Sequence, residues 1–157
     1  MTGQELTNAL EQYRAGLETE ITLLDRLEAV AGRQRAVSEV RDFERLAAES
    51  DERDRLTATL VTVEQGLRAM RDSLAAARSR LARLPAYADV LRLRSAAAER
   101  VGRILAADRL SLKALADADL ARRAAVASLE RGETTLAAYR KVLAPPVSSA
   151  SLVNRHG

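Results

Sequence analysis

The sequence predicts an all-α protein: a long antiparallel helical hairpin or three-helix coiled-coil bundle with a disordered C-terminal tail. Three observations lead there. Of 157 residues, 31 are Ala, 24 Leu and 23 Arg, whereas sheets need β-branched and aromatic side chains to fill their pleated faces. Aromatic residues make up only 3%. Apolar residues recur at heptad spacing through most of the chain, and the break signals between these stretches are few.

The first helix is expected over about residues 4–37. With Leu10, Leu17, Leu24 and Ala31 at position a, position d reads Leu6, Tyr13, Glu20 and Leu27, an apolar seam with one polar exception. Residues 38–42 are the expected break, with Asp42 the better of two candidate caps because its short carboxylate can accept from a first-turn amide. The second helix is expected over 42–84. From Leu56 onward its seam is apolar without interruption through Leu60, Val63, Leu67, Met70, Leu74, Ala77, Leu81 and Leu84. Pro85 is expected to end it, since the residue before proline is pushed out of the helical region, and the chain then reverses.

The third helix is expected over 86–144. One row of its seam reads Val101, Asp108, Leu115, Arg122, Leu129, Leu136, Leu143, and the other Leu105, Leu112, Asp119, Val126, Glu133, Arg140. Four of its charged residues, Asp108, Asp119, Arg122 and Glu133, interrupt the apolar pattern, so part of this helix is expected to lie uncovered. Gly132 weakens its last stretch by roughly 1 kcal/mol relative to Ala. Residues 1–144 thus read as a single helical domain. Pro145-Pro146 stops the helix, and residues 145–157, without periodicity, read as a flexible tail.

Charge is divided along the chain. Residues 1–66 carry 14 acidic against 8 basic residues, and residues 67–157 carry 8 against 17. An acidic arm folded beside a basic one explains this division. A nucleic-acid-binding stripe is the sharper alternative, argued from Arg78, Arg80, Arg83, Arg92, Arg94, Arg100 and Arg103, but no aromatic residues accompany these arginines.

No chemistry of an enzyme is legible. The chain has no Cys, and its one histidine, His156, is next to last. It has no glycine-rich phosphate loop, nucleophile elbow or paired-histidine metal motif. The expectation is a non-catalytic protein with no cofactor and no metal. There is no apolar run of membrane-spanning length, and the first residues, MTGQELTNALEQ, are too polar for a signal peptide, so a soluble cytoplasmic protein is expected.

Function must then come from surfaces. Val126, Leu129, Leu136, Tyr139 and Leu143 carry the spacings with which one helix anchors another in a groove, and they are the expected partner-binding residues.

The layout resembles a known family. It has an N-terminal helix, a linker, the run Asp42-Phe-Glu-Arg-Leu46 to Leu56, a long heptad helix and a return helix carrying Arg103-Ile-Leu-Ala-Ala-Asp108-Arg109. Leu136-Ala-Ala-Tyr139 closes that helix before a small-residue tail ending in Gly157. This is similar to the flagellar export chaperones of the FlgN kind across nearly the whole chain. The resemblance implies a cytoplasmic, non-catalytic chaperone of type III flagellar secretion. Its partners would be the helical termini of hook-filament junction proteins and a component of the export gate. It also implies client binding through about residues 109–143, with Tyr139 the one tyrosine placed to match a gate-linked position. The alternatives are a structural or adaptor coiled coil, including a homodimer, and the basic-face nucleic-acid binder.

Overall fold

The computed structural model describes residues 1–143; the side chain of Leu143 and the expected tail, 145–157, lie outside the described residues. Four helices follow one another: α1 (Gly3–Glu39), α2 (Phe43–Ala75), α3 (Arg78–Leu81) and α4 (Pro85–Leu143). No strand occurs among the described residues. The chain divides into two units, Met1–Leu115 and the part beginning at Ala116.

α1 starts at a capping box. The Glu5 amide donates to Thr2 Oγ1 at 3.2 Å, and the Thr2 amide donates to Glu5 Oε2 at 2.6 Å, so two amides at the helix start are satisfied reciprocally. Leu6, Leu10, Tyr13, Leu17, Leu24, Leu27 and Ala31 are all buried, as the heptad pattern predicts. The helix ends in the expected place. The Asp42 amide donates to the Val37 carbonyl and the Arg41 amide to the Ser38 carbonyl, the paired bonds of a Schellman end. Arg41 holds the left-handed conformation there, at φ 60, where glycine is the usual choice. Asp42 then caps α2, its Oδ1 accepting from the Arg45 amide at 3.1 Å.

α2 packs antiparallel to α1. Gln34 Nε2 donates to Ser50 Oγ at 3.2 Å. Arg33 Nε bonds the Glu49 carboxylate at 3.0 Å, and Arg80 Nη1 donates to the Met1 carbonyl at 2.9 Å. At Gly16 the helices come so close that a Cβ would stand 2.5 Å from Leu67 Cδ2. All nine apolar seam positions from Leu56 to Leu84 are buried or half-buried.

Two boundaries differ from expectation. The seam runs on to Leu84, but the helix over 42–84 is interrupted: α2 ends at Ala75, and a single turn, α3, follows. That turn brings Leu81 into the core beside Leu74 while the chain begins to reverse. Pro85 opens α4 where it was expected only to close α2. Its missing amide costs nothing in a first turn, whose amides lack helical acceptors, and its fixed φ suits that position. α4 is continuous past Gly102 to Leu143.

Within the first unit, α4 runs parallel to α1. Arg100 Nε bonds Asp25 Oδ1 at 2.5 Å and Arg103 Nε bonds Glu28 Oε1 at 2.6 Å, both across 75 residues, and Arg14 faces Asp89 with the same offset. The acidic first arm therefore does lie beside basic residues of α4. The expected seam of α4 needs correction here. The buried row is Val90, Ala97, Ile104 and Ser111, whereas Val101, Leu105 and Leu112 are exposed. Two of the four buried positions, Ala97 and Ser111, are small, and Leu91, Leu105 and Leu112, each one residue beyond a buried position, are exposed.

Two apolar clusters fill the unit. Leu6, Leu10, Tyr13, Leu17, Leu67, Leu74, Leu81 and Val90 form one. The other is built from Leu23, Leu24, Leu27, Val30, Ala31, Leu56, Ala97 and Ile104. Beyond them, Arg53 ties three helices together. Its Nη1 and Nη2 bond the two oxygens of Asp108 on α4 at 2.6 and 2.7 Å, and Nη1 also donates to Gln34 Oε1 on α1 at 2.8 Å. Such a bidentate pair fixes orientation as well as proximity.

Candidate functional site

In the second unit the expected partner-binding residues lie on one long stretch of α4. Val126 is 47% exposed, Leu129 73%, Leu136 67% and Tyr139 60%. Val126, Leu129 and Leu136 recur at helical spacing on one face, with Tyr139 three residues beyond Leu136. Leu143, the fifth, is in the helix, but its side chain is outside the described residues. Leu129, Gly132, Leu136 and Ala137 share an open surface on this stretch, with Glu133 and Arg140 supplying charge. Val142 is also exposed and was not singled out from the sequence, although it follows Tyr139 by three residues, one helical turn.

Of the charged residues that broke the predicted seam, Asp119, Arg122 and Glu133 lie on this stretch. Asp119 accepts from Arg122 Nη2 at 3.2 Å and pairs with Arg123 Nη2 at 2.9 Å. Glu130 and Glu133 have no basic residue three or four positions away on either side, and among the described residues neither forms an ion pair. Arg122 and Arg123 therefore stand at one end of the Val126–Leu129 pair, and Glu130 and Glu133 at the other.

In the first unit, a polar cluster interrupts the seam at Glu20, the exception noted in α1. A recess of about 250 Å³ is bounded by Tyr13, Glu20, Glu64, Arg71 and Arg94, among others. Arg71 Nη2 bonds Glu64 Oε1 at 2.7 Å. Tyr13 Oη and Glu20 Oε2 are buried with no partner among the described residues. Burial, followed by the charge and hydrogen-bonding oxygen of Glu64, pushes the Glu20 carboxyl up to about 7 from its ordinary 4.5. The same Glu64 bond raises the Arg71 guanidinium. The cluster joins α1 to α2 and brings Arg94 of α4 to its edge.

The basic stretch proposed for nucleic acid is partly neutralised by its own chain. Arg100 and Arg103 are held by Asp25 and Glu28, Arg92 pairs with Asp89, and Arg80 is spent on the Met1 carbonyl. Among the described residues no group of three His, Cys, Asp or Glu could hold a metal ion, and no helix is long and apolar enough to cross a membrane.

No protein-family model matches this chain, and no curated protein or solved structure matches it either.

Proposed function

We propose that this chain is a non-catalytic chaperone of flagellar type III export, of the FlgN kind, acting in the cytoplasm. It holds amphipathic terminal helices of hook-filament junction proteins on the face carried by Val126, Leu129, Leu136 and Tyr139, and presents them to the export gate. The observation that supports this reading best is the exposure of Leu129, Leu136 and Tyr139, each at least 60% open, on a helix whose apolar side chains recur every three or four residues. A contiguous uncovered apolar face is costly in water and marks a surface made to be occupied. A client whose own apolar stripe drives polymerisation is masked while that stripe rests on this face, and the step needs no nucleotide.

Co-purification with the terminal segments of candidate junction proteins tests the proposal. Wild-type chain should retain a client, and Leu129→Glu with Leu136→Glu should release it while the circular dichroism spectrum keeps its helical signal. Retention of every client after removal of residues 126–157 would overturn the site.

A further inference from the structure

On the helix face that carries Val126 and Leu129, the flanking charges of α4 are grouped by sign. Arg122 and Arg123 precede the apolar pair, while Glu130 and Glu133 follow it. Glu130 and Glu133 are three residues apart, a spacing at which like charges repel on a helix surface, and no basic residue stands three or four positions from either; Arg131, between them in sequence, projects from the side of the helix opposite Leu129. Asp119 partly offsets the two arginines at the other end. A lone solvated helix gains nothing from this grouping.

We infer that a second copy of this chain occupies the face, with residues 119–136 of the two copies packed antiparallel about a two-fold axis between Ala127 and Ser128. In that register Val126 of each copy meets Leu129 of the other, and Leu129 meets Val126. Arg122 stands opposite Glu133, and Arg123 on the flank comes within side-chain reach of Glu130. Two-fold symmetry repeats each ion pair, so both charge groups are matched at both ends. A parallel pair would set arginine against arginine and glutamate against glutamate, which flanking charges of a coiled coil discriminate against. Arg122 and Glu133, which look like defects in the heptad pattern, become its register marks.

The paired stretch is short. Arg122 and Glu133 are about 16 Å apart along the axis at 1.5 Å per residue, and Leu136 and Tyr139 lie outside the charged pairs. Such a dimer is exchangeable, and it covers Val126 and Leu129 until a longer apolar helix displaces it. The dimer does not depend on the chaperone reading, because its chemistry is entirely in this chain.

Sedimentation equilibrium of the full chain, with no client present, tests it. Wild type should show a reversible monomer–dimer equilibrium that weakens with salt. Glu130→Arg with Glu133→Arg should weaken self-association about tenfold or more, since four exposed ion pairs turn repulsive. Arg122→Glu with Arg123→Glu should do the same. An equimolar mixture of the two variants should associate again as a heterodimer, which also shows that neither has lost its fold. A chain that stays monomeric at every concentration overturns the proposal. So does a dimer equally strong in both variants, or a mixture that fails to regain association. None of these outcomes bears on client capture, which is measured separately.

Discussion

Glu20 occupies a position whose counterparts along α1, Leu6, Tyr13 and Leu27, are all buried and apolar. The sequence marks it as an exception, but its consequence depends on Glu64, which sits beside the α2 seam and gives no signal in the heptad pattern. Only folding places the two carboxyls together. Because the folded-state value of Glu20 lies near 7 and its ordinary value is 4.5, the folded chain holds this proton more tightly across that window. The group's contribution is therefore fully favourable below the lower value and lost as pH rises through the upper one. Glu20 is part-exposed, so solvent screening leaves an effect on the order of 1 kcal/mol. Thermal unfolding of wild type and Glu20→Gln should show it: wild type loses stability relative to the variant between about pH 5 and pH 8. Parallel curves would remove Glu64 and burial as the cause.

Helix by helix, the legible parts are those where size and period coincide. In α1 and α2 the seam positions with large side chains from Leu56 on, and from Leu6 to Leu27, are buried or half-buried, so the seams were readable, as was the Asp42 cap. In α4 the rule fails. The buried row alternates β-branched Val90 and Ile104 with small Ala97 and Ser111, which an apolar pattern gives little weight, while Leu105 and Leu112 face outward. The break after Ala75 was hidden for a related reason: the seam continues through it, and heptads record which side faces inward without recording whether the backbone is unbroken. Glycine shows the same contrast between elements. A Cβ at Gly132 meets nothing within 4 Å, but one at Gly16 meets buried Leu67. Gly132→Ala should therefore raise the helical signal and stabilise the end of α4 by roughly 0.5–1 kcal/mol. Gly16→Ala should give no such gain, because repacking Leu67 offsets it. Circular dichroism during thermal unfolding separates the two.

At the scale of the whole chain, the all-helical class and the pairing of an acidic arm with a basic one followed from composition and charge order. The mutual placement of three helices did not, because it is set by long-range pairs such as Arg53 with Asp108, 55 residues apart. Both side chains are largely shielded, at 29% and 23% exposure, so removing one partner strands the other. Asp108→Ala should lower stability by about 1–3 kcal/mol in urea unfolding. Arg53→Met combined with Asp108→Leu should cost less than Asp108→Ala alone, because no charge is then left without its partner.

The three tyrosines are spread in a useful way. The chain has no tryptophan, so its near-ultraviolet emission comes almost wholly from these rings. Tyr13 is sealed in the interior, Tyr87 stands half-covered at the start of α4, and Tyr139 lies open on the uncovered face. An unlabelled helix settling over Tyr139 would thus report its own arrival through the accessibility of one phenol to a dissolved quencher, while the shielded ring of Tyr13 serves as the internal standard.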